Sequence, residues 1–276
     1  MTPVFPDPDT DAKIQLLASL LDDPDDGIAV KAIAELLKYE QSLGDLPAIW
    51  QESDNPLLRK RAHQLQSALV MRQRRKALFD KLESGDFDFF DVLVDIHLLW
   101  FDNDPRPGIM NEVKSLRRKA RAKKISSLAE LSLFMQQNNI AAEAESTLHP
   151  ENYCIGTIIA DKCGAASMLA ALGKFLLAEP ENFTVVRIYG DFAIADRDGN
   201  VLIPAHGWQL YKDAELRQAE AFTPGEVLKF GEMNLFSCAV NSDSFRYILT
   251  IGQSISGTSG DEILHKFPYP YNVQGK

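Results

Sequence analysis

Residues 165–178, AASMLAALGKFLLA, carry a single charge, and a helix that is apolar nearly all round needs neighbours on most of its surface. The rest of the chain must wrap it. Three brief runs rich in Val, Ile and Phe follow at 184–189, 191–196 and 200–204, and they read as strands. ArgAspGly joins the last two as a hairpin turn. The order is a buried helix and then an antiparallel sheet. Two more apolar runs, at 235–240 and 245–251, read as a further hairpin, followed by a Gly/Ser-rich loop at 254–260.

Ahead of residue 149 the texture is helical. Ile14, Leu17, Leu20 and Leu21, then Val30, Ile33, Leu36 and Leu37, recur at three and four residues, which puts each set on one helix face. The run DDPDDG at 22–27 separates them, and a second pair at 46–50 and 57–70 is split by a turn containing Pro56. These pairs loosely resemble the helical hairpins of HEAT or armadillo repeats, and an irregular helical bundle is the expected arrangement. The most apolar helix lies within 86–104, with Phe90, Leu93, Val94, His97, Leu98 and Phe101 on one side. A lone histidine on such a face is expected to be a hydrogen-bonded core residue. Pro105 and Pro107 end that helix, and 109–123 and 127–138 form two more. The first dozen residues hold three prolines and no apolar period, so they read as a loose leader. The expected division is a leader at 1–12, a helical domain at 13–145 and an α+β domain at 146–276.

The 276 residues are 45% hydrophobic and 25% charged, a balance that supports full cores. No stretch reaches the roughly 18 uncharged apolar residues of a membrane span, and the first residues do not resemble a signal peptide. Cys154, Cys163 and Cys238 contain no CxxC pair, which argues against a disulfide framework or structural zinc and for a reducing cytoplasm. The net charge of -10 is distributed in blocks of alternating sign: -9 over 1–58, +7 over 59–81, -7 over 82–112 and +7 over 113–124. Helices of opposite charge are expected to face one another or lie side by side. No aromatic residue interleaves with the basic residues of 59–76 or of 113–124, so nucleic acid is not an expected partner; another protein is. No phosphate-binding glycine loop is present, and no cofactor or metal is expected.

The candidate chemistry lies at Cys163, just ahead of the buried helix. Free N–H groups and the positive dipole end at a helix N-terminus lower a thiol pKa. A thiol enzyme then needs a base and a group to orient it.

Asn152, Ile158, Ile159, Lys162, Gly164, Ala166, Ser167 and Leu169 around Cys163 form a pattern that continues at Tyr189, Gly190, Asp191 and Phe192 and at Leu202, Ile203, Pro204, Ala205, His206, Gly207 and Trp208. It resembles the transglutaminase-like domain of bacterial regulators of the SirB type, and the likeness extends over 12–212. The resemblance implies a helical N-terminal half before a transglutaminase/papain-like helix and antiparallel sheet. It also implies a Cys–His–Asp triad, but Asp191 stands where the family has its histidine and Ile203 where it has its aspartate. The expected function is therefore a non-catalytic regulatory or protein-binding role with a degenerate triad. The alternative is a cysteine-dependent hydrolase or acyl transferase in which His206, brought round by a bend at Pro204, serves Cys163 with Asp191 orienting it.

Overall fold

The computed structural model describes residues 8–143, 148–212, 214, 216–242 and 244–257. The fold is α+β, with two compact units over 1–74 and 75–276. None of the described helices is long and apolar enough to cross a membrane.

The first unit contains α1 (Pro8–Ser19), α2 (Asp26–Leu36), the short α3 (Glu40–Leu43) and α4 (Leu46–Gln51), and the beginning of α5 (Pro56–Ser84). α1 starts inside the stretch read as a leader, because proline is tolerated in a first turn and Asp9 and Asp11 suit the positive end of the helix dipole. Ile14, Leu21, Ala32, Leu36, Leu43, Leu65 and Leu69 form its core. Ala29, Ala32 and Leu36 are the buried face of α2, while Val30 is exposed. Of the face read from the sequence, Leu36 is buried and Ile33 and Leu37 pack half-buried against this core, so only Val30 falls outside it. The DDPDDG turn is held by Arg61, whose buried guanidinium donates to the Leu21 and Asp23 carbonyls and to the Asp26 carboxylate. Here a residue of the first basic block does meet the acidic block before it.

In the second unit, α6 (Phe89–Trp100), α7 (Arg106–Lys123) and α8 (Leu128–Gln137) precede strand β1 (Ala141–Glu143), α9 (Ile155–Asp161), β2 (Cys163–Ala165) and α10 (Ala166–Leu176). Then follow β3 (Thr184–Ile188), β4 (Asp191–Ala195), β5 (Val201–Ile203), β6 (Gln209–Tyr211) and β7 (Glu220–Phe222), with α11 (Pro224–Asn241) and α12 (Phe245–Ser256) at the end. β1 and β2 pair in parallel. The other five strands form an antiparallel sheet in the order β6-β5-β4-β3-β7. Asp196 closes the β4–β5 turn by accepting the N–H groups of Asp198 and Asn200.

Nine of the eleven residues of α10 are buried, as its composition requires. A Cβ on Gly173 would meet Ile194 Cδ1 at 2.9 Å, so the missing side chain is what lets β4 lie this close to α10. One face of the sheet, with Val185, Phe192, Ile194 and Leu202, joins the α10 core. The other face, with Val186, Ile188, Ala193, Ala195, Val201 and Ile203, forms a second apolar cluster covered partly by Leu216 and Ala219.

Two sequence expectations need correction. The division expected between residues 145 and 146 falls inside one core: α6, α7 and α8 bury Leu93, Val113 and Leu131 in the same cluster as Leu169 of α10 and Leu235 of α11. Wrapping an apolar helix recruits elements from both sides of it in sequence. The supposed C-terminal hairpin is two helices. A capping box between Thr223 and Glu226 and Pro224 in the first turn start α11, whose buried Val227, Leu228, Gly231, Leu235 and Cys238 follow helical spacing. α12 continues to Ser256, so the supposed loop at 254–260 begins as helix, and 258–260 lie outside the described residues.

His97 is the core histidine its position suggests. Its Nδ1 accepts the Gly156 N–H at 3.3 Å and its Nε2 faces Asp104 Oδ2 at 3.0 Å, while burial pushes its pKa down against the pull of Asp104. A Cβ at Gly156 would lie 2.6 Å from His97 Cε1, and a ring tethered at both nitrogens has little room to step aside. Gly156→Ala is expected to cost about 1–3 kcal/mol by urea denaturation, the usual range for overpacking. A loss under about 0.5 kcal/mol would mean that the imidazole moves freely.

Candidate functional site

α9 ends at Lys162, whose left-handed backbone (φ 59°) turns the chain into β2. Ala141 there donates its N–H to the Lys162 carbonyl at 2.9 Å and lies in register with Cys163. Cys163 is thus a strand residue, two positions before the N-cap Ala165 and outside the first turn of α10. The thiol is half-buried and reaches Glu143 Oε2 at 3.9 Å. Burial, and then the Glu143 charge, push its pKa up, although the Gly164 N–H acts in the opposite sense. A carboxylate beside a thiol disfavours the thiolate a nucleophile needs. The dipole of α10 begins beyond Cys163, and the lowered thiol pKa that the thiol-enzyme alternative needs is not what the surroundings of the sulfur produce.

Asp191 and His206 do come together. Asp191 opens β4 opposite Ile188, and His206 lies in the 3-10 turn Pro204–His206 that follows β5. The turn bends the chain at Pro204 and places His206 Nε2 3.2 Å from Asp191 Oδ2. Nδ1 lies 2.9 Å from the Tyr211 hydroxyl, which donates to Gln209 Oε1 at 3.1 Å. Both ring nitrogens therefore already have protein partners. Because the pair is about 40% exposed, the contact is of the weak surface kind. A double-mutant cycle with Asp191→Asn and His206→Ala is expected to give a coupling under about 1 kcal/mol. A coupling above about 2 kcal/mol would show the pair to be a structural lock.

Ile203 is buried in the second face of the sheet and holds no polar group for the site. Trp208, in left-handed conformation at φ 62°, is buried and closes the turn. Its indole N–H donates to the Ile140 carbonyl at 2.7 Å, and its own carbonyl accepts from Ser132 Oγ at 2.6 Å. Gln136 adds a bond to the Gly207 carbonyl at 2.9 Å. β1 packs against this turn on one side and pairs with β2 on the other.

Of the three sequence candidates, Asp191 and His206 are brought together, while the polar side chain bonded to Cys163 is Glu143. Glu143 and Tyr211 were not anticipated. Neither sits in a stretch with a period that marks it, and both acquire their partners through tertiary folding. Among the described residues, no three His, Cys, Asp or Glu side chains cluster so as to hold a metal ion.

No protein-family model, curated protein or solved structure matches this chain.

Proposed function

We propose that the chain is a non-catalytic, protein-binding member of the transglutaminase-like superfamily, of the SirB-type regulator branch, with a degenerate triad. The observation that carries the reading is the environment of Cys163. Its thiol abuts the Glu143 carboxylate and is pushed up, while both nitrogens of His206 are engaged by Asp191 and Tyr211. Without a base that reaches the sulfur, the factor of about 100 to 10,000 that general-base catalysis supplies is missing.

Part of the basic charge is also used within the chain. Arg61 binds Asp26, Lys81 bridges Asp91 and Asp95, and Lys123 bonds Gln137. This favours a protein as the partner over nucleic acid, which would need those charges free and clustered.

The thiol-enzyme alternative keeps one specific support, the Asp191–His206 contact that an orienting carboxylate and its base would make. Iodoacetamide labelling against pH separates the two readings. Burial holds Cys238 up at about 11 and Cys154 well above its usual value, so labelling near neutrality reports Cys163. Cys163→Ser supplies the blank. The expected midpoint lies above that of an ordinary cysteine thiol, unchanged in His206→Ala and lowered in Glu143→Gln. A midpoint below about 7 that returns to normal in His206→Ala would establish a working Cys–His pair and sink the non-catalytic reading.

A further inference from the structure

A cavity of about 160 Å³ lies among the end of α5, α11 and α12, walled by Phe79, Leu82, Met233 and Ile255. Glu232 lines it and is only 1% exposed. Its Oε1 has no hydrogen-bond partner among the described residues. The carboxyl is turned inward by the seating of α11: a Cβ on the adjacent Gly231 would lie 2.5 Å from Met168 Sδ, so α10 fits only against a bare backbone there. Ser254 of α12 shares its hydroxyl between the Glu232 carboxyl and the Ile251 carbonyl, 2.8 Å away, and Oε1 itself stays without a partner. The charged groups on the cavity besides Glu232 are Glu83 of α5 and Lys229 of α11, paired with each other at 2.6 Å and half-exposed.

A buried carboxylate oxygen with no partner is costly, and the cost is relieved by a ligand that brings a positive charge. A metal ion is a poor match: calcium and magnesium take six or more oxygens, while this cavity presents one buried carboxylate among hydrocarbon walls. An ammonium group on a short alkyl chain matches both features, with three N–H donors for Glu232 and methylenes for Phe79, Leu82, Met233 and Ile255. At roughly 30 Å³ per small group in a liquid, the cavity takes about five non-hydrogen atoms, the size of a four-carbon amine. We infer that the Glu232 cavity is a binding site for a primary alkylammonium group of about four carbons, presented by a free amine or by a lysine side chain. The site is separate from Cys163, Asp191 and His206 and stands whether or not those residues are catalytic.

Calorimetric titration of the full chain with n-butylammonium tests it, with 1-butanol as the uncharged match and a capped lysine as the second source. Saturable one-to-one binding of n-butylammonium at pH 8 is expected, with 1-butanol at least about tenfold weaker. Burial raises the Glu232 pKa to about 7, so its ionised share, and with it the affinity, is expected to drop about tenfold between pH 8 and pH 6. Glu232→Gln is expected to abolish the preference for the ammonium over the alcohol. Binding of the capped lysine as well as the amine assigns the site to a lysine side chain, and binding of the amine alone assigns it to a free ligand. No saturable binding at pH 8, equal binding of the alcohol, a pH-independent affinity, or an ammonium preference that survives in Glu232→Gln would overturn the inference.

Discussion

Trp208→Ala is expected to lower the unfolding free energy by about 3–5 kcal/mol, the range for emptying a buried tryptophan site. The indole is 1% exposed and reaches Gly173 on α10, so its loss opens a void against the central helix. It also leaves the Ile140 carbonyl without the N–H that satisfies it at 2.7 Å. Trp208→Phe separates the two effects. It keeps most of the apolar volume and loses the donor, which is worth about 1–3 kcal/mol when a buried acceptor is orphaned. Urea denaturation of both variants measures the difference. A Trp208→Ala loss under about 1 kcal/mol would show that the ring is a surface cover.

Glu232→Gln is expected to stabilise the protein, and to do so increasingly as pH rises. The folded protein keeps the Glu232 proton to about pH 7, whereas the unfolded chain releases it near the ordinary value of 4.5. Between these values the folded state holds more protons, so wild-type stability falls as pH rises and levels off above pH 7. About 2.5 pH units at 1.36 kcal/mol each sets a ceiling of about 3 kcal/mol. Comparing denaturation of wild type and Glu232→Gln cancels the other titrating groups. The gap is expected to be smallest near pH 4.5 and largest at pH 8. A gap of constant size across that range would place the carboxyl in water.

The elements legible in the sequence are those whose side chains declare their surroundings. α10 and β3 to β5 were readable to within two residues because α10 carries a single charge and the strands are dense in β-branched and aromatic residues. The bend at Pro204 that brings His206 to Asp191 was readable for a related reason, since proline fixes where the strand can end. α11 and α12 were misread because LFSCAV and FRYILTI, taken as short windows, are rich in strand formers. The deciding signal, the Thr223–Glu226 capping box, lies a dozen residues upstream of the first of them. The Glu143–Cys163 contact had no local signal, because it depends on a parallel pairing of two three-residue strands. The division of the chain was misplaced for a similar reason: a change from helical to strand texture marks secondary structure, while a compact unit is defined by whose side chains share a core.

The two outer strands of the five-stranded sheet, β6 and β7, are each only three residues long. An incoming strand would find so few unpaired backbone groups on either side that it could gain only a rung or two of a ladder, too little to offset the entropy of ordering it. The apolar interior strands β3, β4 and β5 are thus shielded from cross-strand growth by the brevity of their neighbours, and the native sheet is a poor template for fibrils even though its centre is made of the residues from which fibrils are built.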